Sequence, residues 1–181
     1  MKMDVGSTFS RRSLAFGFAS ILAFRAVPAV ARGKRHAGKP AVEEFLGSIY
    51  QRYLGKSSAA GSGIVLAEAQ SVRSYFTAGL AMLILEDRAA ATEQGESPVL
   101  ESDPFIGRSE WDISDLSIDV KDTGAFKTVG IVTFLNFGKP EKVILELLRL
   151  GNEWRVADVK WDSGTLRGVY RHKAAYHPTE E

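Results

Sequence analysis

The chain has 181 residues, 45% of them hydrophobic and 25% charged, with no cysteine and a formal net charge of +1. This length can bury a core without metals or disulfides, and the composition is that of one globular domain. Lack of cysteine excludes disulfides, thiolate catalysis, cysteine-bound zinc and a lipid anchor on cysteine.

The first segment reads as an export signal. Arg11 and Arg12 form a basic start, a mostly apolar run follows from Leu14 to Phe24, and Pro28 precedes the small-residue triplet Ala29-Val30-Ala31. That order predicts a secretory signal peptide over residues 1–31 with cleavage after Ala31. The apolar run is too short to span a bilayer, which takes about 20 residues, so no stable membrane span is expected in the mature form. Ser10-Arg11-Arg12-Ser13-Leu14 resembles the twin-arginine motif, and an ordinary Sec signal with two arginines is the alternative. Residues 1–31 hold four basic side chains (Lys2, Arg11, Arg12, Arg25) and one acid (Asp4), so the remainder carries a net charge of −2. A near-neutral domain has no electrostatic footprint for nucleic acid. The expected location is the periplasm, with the export translocase as a partner of the signal.

Residues 32–39 read as a flexible basic leader, and residues 40–170 as a single α+β domain. From Pro40, Val42, Phe45, Leu46, Ile49, Tyr50 and Tyr53 recur at helical spacing. Gly55 to Gly63 breaks that helix and makes a loop. Second and third helices are predicted near residues 66–76 and 78–92. The third leaves the core for solvent at Glu86-Asp87-Arg88. From Trp111 the period becomes two. Four strands follow, separated by turns at Asp122-Thr123-Gly124, Gly138-Lys139-Pro140 and Gly151-Asn152. Residues 171–181 read as a polar tail. The expectation is three N-terminal helices packed on a curved, cone-like, four-stranded antiparallel sheet. Apolar residues on both faces of the last two strands imply a second cover or a pocket.

Asp103-Pro104-Phe105, Trp111, Asn136-Phe137-Gly138-Lys139-Pro140, Trp154 to Trp161 and Leu166-Arg167 together resemble domain of unknown function 3828. These are small exported bacterial proteins similar to the nuclear-transport-factor-two-like cone fold. The resemblance covers about residues 41–170. It implies a cone fold, an exported location and a possible homodimer through an open sheet face, but no reaction.

Asp158 stands in phase with Trp154 and Val156 on an apolar strand. There it is either a general acid or base, as on similar cone-fold enzymes, or a structural pair or cap. Asp103 is either a loop-shaping residue, since Asp makes turns with its own side chain, or a pocket group. Arg167 either forks onto Asp103 or Asp158 or lies on the surface of a short terminal helix. Phe105 joins the candidate pocket through its place in the Asp-Pro-Phe loop. Trp111, Trp154 and Trp161 are core or sheet cover, or one walls a cavity. Asp112, Asp115, Asp119 and Asp122 lack calcium-loop spacing, so no metal is expected. Gly55-Lys56-Ser57 lacks the earlier glycine of a phosphate loop. His36, His172 and His177 lie near the mature chain ends, against a histidine-based triad. No cofactor is expected. The reading is a non-catalytic module for an unknown small molecule or envelope protein. Its rival is a cofactor-free hydrolase, isomerase or dehydratase using Asp158.

Overall fold

The structure is a computed structural model that describes residues 39–122 and 124–175. The predicted signal, its cleavage site and most of the leader lie outside the described residues. In chain order the elements are α1 (Lys39–Tyr50), a 3-10 turn (Gln51–Tyr53), β1 (Gly55–Lys56), α2 (Ala69–Tyr75) and α3 (Ala78–Gln94). They continue with β2 (Asp112–Asp122), β3 (Lys127–Asn136), β4 (Lys139–Leu150), β5 (Glu153–Trp161), β6 (Gly164–Thr165) and α4 (Leu166–Ala175). The six strands pair in sequence order, every neighbour antiparallel.

This corrects the expected four-stranded sheet with three helices ahead of it. The long strands β2 to β5 coincide with the period-two segments, but two short strands extend the sheet at both edges. Gly55 and Lys56 pair with Ile113 and Asp112 inside the segment read as a loop. Gly164 and Thr165 pair with Trp161 and Lys160. Two residues cannot display a period, so neither edge strand leaves a pattern. A fourth helix follows the sheet, so the helices are not confined to the N-terminal half. It continues past Tyr170 to Ala175.

The sheet has one face toward the helices. Gly130 on β3 faces Leu46 of α1 so closely that a Cβ there would collide with the leucine's Cδ1. Alternation therefore places Thr128, Val132 and Phe134 on the inner face with Gly130, and all are buried. Their β4 neighbours Val143, Leu145 and Leu147 are also buried. Alpha-helix α1 packs on β2 and β3, α2 on β5, and α4 on β5 and β6. Val42, Leu46, Ile49 and Tyr50 of α1 are all buried, which is the face its spacing predicts.

Helix α3 departs from its expected exit into solvent. Asp87 is only 5% exposed, because its two carboxylate oxygens accept the backbone N–H groups of Val99 and Leu100 at 3.2 and 3.4 Å. The middle of the charged triplet therefore turns inward and ties the following segment to the helix, which satisfies a buried acid by backbone donors. Gly95 closes α3 with a left-handed φ of 68°.

Two bulges bend the sheet. Three steps on β2, Ser114 to Ser117, match two on β3, and Asp115 takes φ 52° there. On β5, Asp158 faces Glu146 while Val156 faces Leu147, which leaves Ala157 as the extra residue. The β3–β4 turn is two residues, Phe137 and Gly138, with φ 48° and 75°. Positive φ at both positions is the mark of a tight hairpin turn.

Candidate functional site

The Asp103-Pro104-Phe105 loop is driven into the aromatic heart of the domain. Phe105 is fully buried and meets Tyr50, Tyr53, Tyr75 and Phe76 at ring-centroid distances of 5.3 to 6.4 Å. Tyr53 in turn lies 5.2 Å from Trp111. Polar ends of these rings hold the loop. Tyr50 donates its hydroxyl to the Phe105 carbonyl at 2.9 Å, and Trp161 donates its indole N–H to the Pro104 carbonyl at 2.9 Å. Gly107 has φ 72°, and a Cβ there would stand 2.8 Å from Trp161 Cδ1, so the loop turns tightly against that ring.

Asp103 shapes this loop with its own side chain. Its Oδ1 accepts the Phe105 N–H at 2.8 Å, an Asx turn, and its Oδ2 accepts the Tyr53 hydroxyl at 2.8 Å. Tyr53 also accepts the Ile64 N–H at 3.1 Å, linking loop, helix and the 64–66 segment through one oxygen. Burial pushes the Asp103 carboxyl up to about 6, against the opposing pull of these donors and of Arg88. Burial and the nearby carboxylate raise the Tyr50 and Tyr53 phenols above their ordinary range. The loop-shaping role of Asp103 is thus the one the contacts display.

Asp158 and Arg167 meet elsewhere, and not as an ion pair. The Ala157 bulge breaks the phase that would align Asp158 with Trp154 and Val156, and Val159 takes the next core position opposite Leu145. Asp158 instead accepts the Arg167 backbone N–H at 3.0 Å and its neighbour's N–H from Val159 at 2.9 Å. It caps the start of α4. Arg167 sends its Nε–H to the Ala157 carbonyl at 2.7 Å and reaches Thr77 Oγ1 at 3.4 Å, so its guanidinium clips the bulge to the start of α3. Replacing Asp158 with alanine is expected to lower stability by about 1–2 kcal/mol, read by urea unfolding, as loss of a helix cap does. A loss below about 0.3 kcal/mol would remove Asp158 from that role.

The sequence candidates therefore separate into three places. Asp103, Phe105 and Trp111 share the aromatic cluster. Asp158 and Arg167 share the α4 start. Trp154 lies opposite Arg149, near the end of β4 and the start of β5, with its indole N–H unpartnered among the described residues. The helical spacing places Tyr50 and Tyr53 only in an apolar stripe. Their hydroxyls were the available signal, because a buried phenol must find a partner. Thr77 and Asp87 carried no such signal.

The outer face of the sheet points away from α1. Alternation from Gly130 sets Val129, Ile131 and Leu135 there, beside Ile144 and Leu148 of β4. These apolar residues are half-buried and bordered by charge. Glu146 sits among them, bridging Lys127 at 3.3 Å and Lys160 at 2.6 Å, and these lysines hold its carboxyl below the usual range. At the hairpin end the row runs into an open groove of about 430 Å³ lined by Asp115, Thr133, Phe134, Leu135, Pro140, Glu141, Lys142 and Asp162. Asp115, a residue in left-handed backbone geometry, lines this groove, and Phe137, another, follows the row by two residues and is 61% exposed. None of the described helices is long and apolar enough to cross a membrane.

Comparison with known proteins gives little company. No family model matches the chain. No curated protein matches it either. Among solved structures, the phospholipid-binding protein from Ralstonia solanacearum in complex with a phospholipid is 15% identical, over 76% of this chain and 82% of that one, with a TM-score of 0.35.

Proposed function

We propose that this chain is an exported, non-catalytic binding protein of the bacterial envelope that takes a protein partner on the outer face of its sheet. The observation that carries the reading is the apolar row Val129, Ile131, Leu135, Ile144 and Leu148, running into the groove beside Asp115. An apolar stripe rimmed by charge is the usual make-up of a protein contact surface. Two further findings favour binding over catalysis. Phe105 and its tyrosines occupy the centre of the domain, where a buried active site would have to lie. Asp158, the carboxylate best suited to acid–base work from its strand position, already accepts two backbone N–H groups.

The test is capture from envelope extracts with the wild-type protein and with Ile131→Lys and Ile144→Lys variants, which place charge on the row without touching the core. Loss of the same captured protein from both variants, with unfolding midpoints retained, supports the reading. Equal capture by all three overturns it. Mass spectrometry of small molecules carried through purification covers the other ligand class. A stoichiometric small molecule released by Ile131→Lys would move the proposal from a protein partner to a small ligand. Export rests on the signal segment, and Arg11→Lys with Arg12→Lys distinguishes the routes: twin-arginine export stops, and Sec export continues.

A further inference from the structure

Helix α3 has apolar residues on two sides. Leu80, Ile84, Asp87 and Ala91 point into the core and are buried. On the other side Ala78, Met82, Leu85, Ala89 and Thr92 follow one another at intervals of four, three, four and three residues. Leu85 is half-buried and also packs against the core cluster, while the other four are exposed, Met82 at 55%. Alternating three- and four-residue spacing is the seam of a coiled coil, the pattern a helix uses to meet another helix. A helix that only covered its own core would carry polar residues on this side.

The surface beside this seam is concave. One groove of about 460 Å³ is lined by Arg73 of α2 and by Ala78, Met82, Leu85, Glu86 and Ala89 of α3. A second, of about 360 Å³, is lined by Arg88, Ala89 and Thr92 together with Ala67 and Pro98. They share Leu85 and Ala89, so the seam is the ridge between them.

The flanking charges select the occupant. With Ala78, Leu85 and Thr92 as d positions and Met82 and Ala89 as a positions, Glu86 and Glu93 fall at e, and Arg88 falls at g. In a parallel pair each g residue meets the e residue five places on in the partner helix. Arg88 of each copy then stands beside Glu93 of the other, twice by symmetry. An antiparallel pair sets e against e and g against g, so Glu could meet only Glu and Arg only Arg. The pattern pairs opposite charges in the parallel arrangement and in no antiparallel one. We propose that α3 is the dimer interface of this protein, pairing in parallel with α3 of a second copy. This surface is separate from the outer face of the sheet, so the two readings fail independently.

The test uses protein purified from cells expressing the full chain. Sedimentation equilibrium is expected to show a reversible dimer. Met82→Glu is expected to weaken it at least about tenfold, as is Glu93→Arg, which sets two basic residues together. Both positions are exposed, so far-UV circular dichroism should be unchanged. Ile131→Lys should leave the dimer intact. Because the chain has no cysteine, single Ala78→Cys and Thr92→Cys variants report direction. Parallel pairing lets each form a disulfide-linked dimer on oxidation. A monomer at all concentrations overturns the proposal. So does a dimer lost with Ile131→Lys but kept with Met82→Glu, or one in which Ala78→Cys links only to Thr92→Cys when the two are mixed.

Discussion

Truncating Phe105 to alanine is expected to lower the unfolding free energy by about 3–5 kcal/mol, the range for removing a buried aromatic ring. The site cannot collapse around the loss, because rings from two separate parts of the chain converge on it. Tyr50 and Tyr53 come from the first helix and its 3-10 extension, and Tyr75 and Phe76 from the end of α2. Each aromatic pair adds about 0.5–1.5 kcal/mol beyond its buried area. The ring also seats the loop whose carbonyls receive Tyr50 and Trp161. Urea unfolding of wild type and variant should show a lower midpoint with a similar slope. A loss under about 1 kcal/mol would mean that the loop is not part of the core.

The second large effect is on pH dependence, and its sign is opposite to that of most carboxylates. Burial raises Asp103 from an ordinary value of 3.8 to about 6. Between those values the folded protein holds a proton that the unfolded chain has released. Stability therefore falls as pH rises through this window, and the contribution is fully present below the unfolded value. The wild type is expected to lose on the order of 2–3 kcal/mol from this group between about pH 4 and 7. Other carboxylates act against it, and Glu146, held low by Lys127 and Lys160, loses its contribution as pH falls. The difference between wild type and Asp103→Asn isolates the term. The amide keeps the Asx turn through its single oxygen and, like the protonated acid, presents a donor toward the Tyr53 oxygen, but it cannot ionise. The asparagine variant should therefore gain on wild type as pH rises from 4 to 7. A flat difference across that range would show that Asp103 is hydrated and titrates normally.

Both effects arise at a place where the chain's own order gives only half of the information. Asp103-Pro104-Phe105 stands out as a loop, since proline restrains the aspartate and aspartate favours a turn. That the loop is a core element follows from Tyr53, 50 residues earlier, whose hydroxyl reaches Asp103. Asp158 shows the converse. Its strand is legible from alternation, but the extra residue at Ala157 rotates its side chain from the expected line to the start of α4. Helix α3 was legible in extent but not in direction: a helix with two apolar sides has no single face to predict, and Asp87 points inward, where it accepts two backbone N–H groups.

What the sequence determined by itself is what depends on neighbours along the chain. The first helix follows from a stripe at three- and four-residue spacing, the four long strands from period two, and a β3–β4 turn from Gly138-Lys139-Pro140, which the structure sets one residue earlier, at Phe137-Gly138. Export is an expectation of the same local kind. Features that depend on partners distant in the chain became visible only once its segments packed together. These are the two-residue edge strands, which exist only as hydrogen-bonded additions to β2 and β5, and the inward turn of Asp87. They also include the cap at Asp158 and the aromatic seat of Phe105. A periodic side-chain pattern records which way a residue faces, whereas the identity of the group it meets is set when separate segments pack together.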